Sequence, residues 1–505
     1  MASDDILDNT KPIDMDNVGD YEPLLRNLQG NILKDHGRNL AKHIFLTFTA
    51  EPATVKKWLR TFATNVTPRP DRSMIVTSAW QQQWDAVAYR NSGIPGIPFL
   101  SLFLSASGYE YLELERKLPE ESAERSFRNG MRSSGESLQD PPYRNWDDPN
   151  WKNLRSPQTS VHGMILIAND KEDRLDRDTT LIVRGLKSIA EHFIEEGKML
   201  YQDGDTKKPR EHFGYIDGIS NPIFVKDELE KADGYQEDGR RRHVSRFAHW
   251  DPFAPLRLVL VRDPGGPPDE PCFGSYLVFR KLEQNVYGFH EALRQLSRQL
   301  NPNDPSALQK RAMGLVMGRF PNGTPITLQD REVEAPPFHN DFRFETQGGR
   351  CPIRGHIRRA NPRGETREGI DGERLHRIVR RGITYGNRQE DFSDFPKKDV
   401  GLLFMCYQND IASHFEHIQK EWCNWTFGLD TIIGQGPTLR ELPAEAQQRN
   451  TEWPKIWANT DQEKTTALLD WPDEKMVKGL EFGRYVTLKG GEYFFAPSIP
   501  FLQRM

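Results

Sequence analysis

No stretch of the 505-residue chain approaches the roughly 18 apolar residues that a membrane-crossing helix needs. The longest candidates, 256–261 and 401–407, are strand-sized. Cysteine is scarce: Cys272, Cys351, Cys406 and Cys423 lie far apart without a C-x-x-C spacing. That excludes a zinc ribbon, an iron–sulfur ligand run and covalent c-type haem attachment, and it fits reduced thiols in the cytosol. The start, MASDDILDNTKPIDMDN, has neither a basic n-region nor an apolar h-region. A cytoplasmic protein with a short flexible acidic arm over residues 1–20 is therefore expected, with no membrane partner. Also missing are G-x-x-x-x-G-K-[ST], a G-x-G-x-x-G after a strand, G-x-S-x-G and H-E-x-x-H, which removes the familiar nucleotide, hydrolase and metalloprotease sites. Neither sign of charge dominates: 68 Lys and Arg face 73 Asp and Glu, so nothing global predicts a polyanionic partner.

What is present is material for large cores, with 27 Phe, 14 Tyr and 11 Trp. The length calls for two or three compact units. Apolar β-type runs pass directly into amphipathic helical patterns at 43–66, 98–115, 274–300 and 401–422. Strands also arrive in succession, as in LRLVLV then SYLVF. This mixture predicts α+β units with antiparallel sheets and helices packed on them rather than a doubly wound parallel sheet. A polar, Gly- and Pro-containing stretch at about 225–255 marks the expected connection between units, and the polar insertion at 118–157 reads as surface loop.

Three constellations could carry chemistry. His414 and His417 stand three apart on a helical pattern with Glu416 between them; a metal would need a third ligand that the sequence does not show, and a solvated helix face is the plainer reading. In HFGYIDGISNP (212–222), glycines flank Asp217 and could aim its carboxylate into a cavity, or the segment could be an ordinary Asp-Gly turn. From Arg350 to Arg388 there are 11 arginines, four acids and no lysine, a composition suited to fixed, bidentate anion recognition. His356 sits within this stretch, in a partly apolar, arginine-bordered strand, as a metal ligand, a proton shuttle or a packed side chain.

Taken together, G-Y-I-D-G at 214–218, C-P-x-x-x-H-I-R-x-x-N-P-R at 351–363 and I-V-R-R-G-I-x-Y-G at 378–386 resemble the dye-decolorizing peroxidases. Further matches at LQGNILKDHGR (28–38), GSYLVFRKLEQNV (274–286), MGRFPNGTP (317–325), GLLFMCYQ (401–408) and LKGGEYFFAPSIPFL (488–502) extend the resemblance over nearly the whole chain. The larger, non-exported branch of that family is the nearer likeness.

The resemblance implies two ferredoxin-like units, an N-terminal one over 21–230 carrying the distal Asp and a C-terminal one over 231–505 carrying most of the pocket for non-covalent haem b. Residue by residue, it implies His356 as the axial iron ligand, Asp217 as the distal acid–base and Arg380 as the distal arginine. It further implies Arg363 at a haem propionate, Leu402 and Phe404 as apolar walls, and Asp430, with Asp410 as the alternative, as the acid behind His356. The activity implied is reduction of hydrogen peroxide to water with oxidation of dyes, phenols and other aromatic reductants through a ferryl intermediate, bulky ones at surface Trp or Tyr. A haem-binding or iron-handling protein would need His356 but not Asp217 and Arg380. A nucleic-acid module would need basic charge spread beyond one segment, so no nucleic acid is expected. An oligomer is left open.

Overall fold

A computed structural model of the chain describes residues 4–64, 75–92, 97–152, 160–202, 209–226, 228, 250–301, 303, 309–333, 340–345, 348–425, 430–434, 453–455, 476–477, 480, 482 and 485–505. Most of the connection expected at 225–255 lies outside the described residues.

The strands, in chain order, are β1 (Leu40–Phe48), β2 (Phe99–Leu104), β3 (Gly163–Asn169), β4 (Ala190–Lys198), β5 (Val261–Arg262), β6 (Phe273–Gln284), β7 (Val379–Arg380), β8 (Ile383–Tyr385), β9 (Gly401–Gln408), β10 (Trp453–Pro454), β11 (Met476–Val477) and β12 (Val486–Ala496). Ten of them form one sheet in the order β4-β1-β3-β2-β12-β6-β9-β7, with β5 on β6 and β8 on β9, and every pairing is antiparallel. The first half thus places its fourth, first, third and second strands side by side. The second half repeats that order with β12, β6, β9 and the β7/β8 pair, so the expected α+β architecture of two ferredoxin-like units is what the chain adopts. The units join where Phe495 of β12 meets Leu104 of β2. At the far edges the Thr384 hydroxyl donates to the Lys198 carbonyl and curls the sheet toward a barrel.

Period-two patterning explains the two faces. Phe45, Phe103, Leu166, Phe279, Met405 and Tyr407 point into the barrel, whereas Ile44, Leu46, Leu102, Ile165, Val278 and Cys406 point outward under the helices. Helix Pro52–Thr64 covers the outer face of the first unit with Val55, Leu59, Phe62 and Ala63, spaced to share one side. In the second unit, helix Val286–Leu300 begins where Asn285 caps Gly288 N–H at 2.9 Å, and it buries Phe289, Leu293 and Leu296. At the start of β9, Gly401 is required by contact: a Cβ there would sit 1.9 Å from the Leu282 carbonyl oxygen.

Three expectations need correction. The acidic start is packed on the fold: Leu7 and Ile13 are buried, and Ile13 N–H donates to the Phe224 carbonyl at 2.8 Å. Ile6, Met15 and Val18 pack beside them, and Asp8 and Asp14 pair with Arg257 and Lys226. The 118–157 insertion is not merely surface, because Trp151 fills the barrel end against Phe45 and Phe127, Met131 and Leu138 are buried. The segment carrying His414 and Glu416 is no solvated α-helix face either; both residues are buried in a π-helical stretch, Ala412–Glu416 followed by Ile418–Cys423.

Candidate active site

On the outer face of the second unit, one large cavity separates the sheet from the helices laid over it. Arg280 and Leu282 of β6 and Leu402 and Phe404 of β9 form its floor, and the register that pairs Arg280 with Phe404 and Leu282 with Leu402 puts all four on that face. Asp217, His356, Arg363 and Arg380 line the same cavity. Seven residues singled out in the sequence therefore converge on it or, in the case of Asp430, stand directly behind a lining residue.

His356 opens a short helix, His356–Ala360, where a strand was expected; Gly355 precedes it and the Gly355 carbonyl accepts from Arg359 N–H at 3.1 Å. Its Nδ1 lies 2.8 Å from Asp430 Oδ2. Asp430 is held in turn: its Oδ1 accepts from Ile432 N–H at 2.7 Å and Ile433 N–H at 3.0 Å, and its side chain is fully buried. Thr431 anchors this turn through its hydroxyl to the Val316 carbonyl at 2.6 Å and its N–H to the Arg354 carbonyl at 3.2 Å. With Nδ1 donating to the carboxylate, the neutral imidazole keeps its lone pair on Nε2, the atom left for the cavity. Asp410 does different work, accepting from Ser413 N–H at 2.8 Å and Ser122 N–H at 3.1 Å.

Across the cavity, Gly214 and Gly218 take φ of 104° and 83°, which lets the 212–222 loop bend sharply around Asp217. Arg380 Nη1 reaches Asp217 Oδ1 at 3.5 Å, and its Nη2 donates to the Ile219 carbonyl at 2.7 Å. Asn221 clasps the Arg380 backbone from both sides, donating to its carbonyl and accepting from its N–H at 3.2 Å each. Strand alternation sends the neighbouring Arg381 the other way, to the carbonyls of Asn31 and Ile32.

Sequence reasoning missed Arg319, Asn340 and Glu211. Arg363 donates to the carbonyls of Asn340 and Phe342 at 2.7 and 2.9 Å, and both Arg363 and Arg319 bond the Asn340 side-chain oxygen. Among the described residues neither arginine pairs with a carboxylate. Burial pushes Arg319 down to about 10, and burial with the Arg319 charge holds Arg363 well below the usual guanidinium range. Two buried cations lacking counter-ions are costly until an anion meets them, and they line the cavity. Glu211 is a half-buried acid on the cavity wall, its carboxyl raised by burial although Gln284 and the N–H groups of Phe213 and Tyr215 donate to it. The signal for Arg319 lies in M-G-R-F at 317–320, where a lone arginine stands between a glycine and an aromatic residue.

Several other arginines of the 350–388 segment are engaged within the fold. Arg358 is buried against Glu345 and Glu365, and Arg374 and Arg377 both pair with Asp251.

Residues 27–199 match the DyP dimeric alpha+beta barrel domain and residues 259–429 the C-terminal domain of Dyp-type peroxidases. The chain is 33% identical to the multifunctional dye peroxidase DyP2 of Amycolatopsis sp. over 97% of each chain. It is 29% identical to the dye-decolorizing peroxidase msp1 of Mycetinis scorodonius over 94% of this chain and 86% of that one. Among solved structures, a DyP-type peroxidase of Anabaena superposes with a TM-score of 0.81 at 34% identity, over 100% of this chain and 99% of that one. The chain belongs to the dye-decolorizing peroxidase family, and it is a peroxidase.

Proposed function

We propose that this enzyme holds non-covalent haem b in the cavity, where His356 Nε2 would bind the iron and Asp430 would make the imidazole more basic. Arg363, joined by Arg319, receives the propionates; Leu402 and Phe404 keep the opposite side apolar. One observation carries the reading: a histidine whose Nδ1 is fixed by a buried carboxylate shares a cavity with an acid–guanidinium pair and two buried, uncompensated arginines. Apolar walls, one imidazole and two cations suit a flat, dianionic iron porphyrin better than a bare metal ion. When bound, the haem supplies an iron centre that takes up peroxide and stores two oxidising equivalents for reductants.

The chain's own residues handle protons and charge. With haem bound, Asp217 would take a proton from hydrogen peroxide and return it to the departing oxygen, which would leave as water. Arg380 remains charged and stabilises negative charge on that departing oxygen. Its bond to the Ile219 carbonyl and the Asn221 clasp keep the guanidinium in place before reaction. Reducing substrates include dyes and phenols; for bulky ones we infer oxidation at the exposed Trp425, three residues beyond the cavity-lining Trp422.

The residues from 21 to 230 and from 231 to 505 are read as the two units, a division supported by family matches that end at 199 and resume at 259. Four buried free thiols support residence in the reducing cytoplasm, and no helix among the described residues is long and apolar enough to cross a membrane. Asp217→Asn tests the proton assignment because it preserves shape and removes proton capacity. The variant is expected to bind haem normally and to react with stoichiometric peroxide at least about a hundredfold more slowly in stopped flow. Reaction at the native rate would reduce Asp217 to a turn residue.

A further inference from the structure

A second group of ligand-type side chains stands outside the cavity. Glu368, His376 and His417 bring one donor atom each to within 4.8 Å of one another. The separations are 3.2 Å from His376 Nε2 to Glu368 Oε2 and 3.3 Å from His417 Nε2 to Glu368 Oε1. His376 Nδ1 rests on the Ser413 carbonyl, an acceptor, so that nitrogen carries a proton and Nε2 is the ring atom available to a metal. His417 Nε2 is buried and makes no hydrogen bond. Three ligand-type side chains thus converge on one point from two segments of the chain. The two rings stack 3.7 Å apart and 6° from parallel, and Trp422 stands edge-on to both, at 5.7 Å from His376 and 5.5 Å from His417.

We propose that Glu368, His376 and His417 form a metal site separate from the haem cavity, taking one divalent ion of the zinc class. Two imidazoles and a carboxylate are the donor set for such borderline ions, and an open position remains toward solvent because Glu368 is exposed. Tetrahedral bonds of about 2.1 Å put ligand atoms about 3.4 Å apart, close to both nitrogen–oxygen separations here. Binding turns the two parallel rings so that their Nε2 lone pairs meet, while the Ser413 carbonyl steers His376 as a supporting acceptor does in other sites. The ion would tie the segment leading into β7 to the π-helical wall. His376 lies four residues before Arg380, and His417 adjoins Ile418, which lines the cavity.

The test is calorimetric titration of chelator-treated holoprotein with Zn2+, followed by metal analysis after dialysis. One equivalent of zinc beyond the haem iron is expected. His376→Gln and His417→Gln should each weaken binding at least about a hundredfold without changing the visible absorption spectrum or far-UV circular dichroism. Glu368→Gln, at an exposed position, provides the same readout should a histidine variant misfold, and it should abolish the rise in melting temperature that Zn2+ gives the native protein. No uptake of zinc by the native protein, or unchanged affinity in correctly folded variants, overturns the site.

Discussion

Replacing Asp430 by Asn should damage the site more than the loss of one charge suggests. Asp430 Oδ1 is claimed by the N–H groups of Ile432 and Ile433 at 2.7 and 3.0 Å, while Oδ2 faces His356 Nδ1 at 2.8 Å. An asparagine must leave its only oxygen with the two N–H donors, so its amide NH2 faces the imidazole. Two donors then oppose each other, and the ring escapes by moving its proton to Nε2, the atom proposed to bind iron. Holding the productive tautomer against this costs the lost charge-assisted bond, about 1.5–3 kcal/mol, which corresponds to roughly 10- to 150-fold. Alanine removes the bond without imposing a donor, so Asp430→Asn is expected to be at least as harmful as Asp430→Ala. The assay is the rate of haem transfer to excess apomyoglobin, followed at the Soret band. An Asn variant that retains haem as firmly as the native protein, or more firmly than the Ala variant, would refute the tautomer argument.

Arg380→Leu should leave haem bound and slow the stopped-flow reaction with peroxide about a hundredfold, near 3 kcal/mol, because Arg381 points to the opposite face and cannot substitute; an unchanged rate would remove Arg380 from the chemistry. Trp425→Phe should lower turnover of an anthraquinone dye more than turnover of a small phenol, and equal losses would argue for direct access to the cavity. Burial depresses His43 to about 3 and His212, His290 and His414 to about 4, so the unfolded chain, with ordinary values near 6.5, takes up protons first. Stability present above pH 6.5 is therefore lost as pH falls through 6.5 toward 4, by up to about 1.4 kcal/mol per pH unit for each histidine. His43→Phe, beside Phe279, should flatten that slope in urea melts by one proton's share, and an unchanged slope would show that His43 does not titrate as a neutral buried ring.

The strands and their helices were legible because burial on a sheet face imposes a period of two and burial of a helix stripe a period near 3.6. Each of the four strand-to-helix transitions expected from the sequence has its counterpart in β1, β2, β6 and β9. The insertion at 118–157 misled because its apolar residues are isolated in polar surroundings, and periodicity is blind to single anchors. Asp140 on that insertion nevertheless pairs with the cavity-lining Arg280, and the Ser126 hydroxyl donates to Glu416 at 3.1 Å. A segment can be irregular in pattern and still position the floor and wall of a site, since buried polar contacts demand partners whatever the local conformation.

For the site, single residues with unusual neighbours were readable, and partnerships between distant segments were not. Asp217 announces itself by its glycines, but Arg319 and Arg363 become meaningful only when both are seen to be buried on one cavity without acids. The histidines of 414–417 show the physical reason most plainly. On an α-helix, residues three apart share a face, and that spacing suggested a pair. In the π-helical segment the turn is wider, about 4.4 residues, so the two side chains diverge. His414 turns to the Arg377 carbonyl at 2.9 Å, and His417 turns to stack on His376. The partners that His417 acquires, His376 and Glu368, come from a segment about 40 residues earlier in the chain, brought alongside by the sheet. Spacing therefore pairs His417 with His414 where the fold pairs it with His376, because the local helix type decides which way a side chain faces and only the tertiary fold decides what it meets.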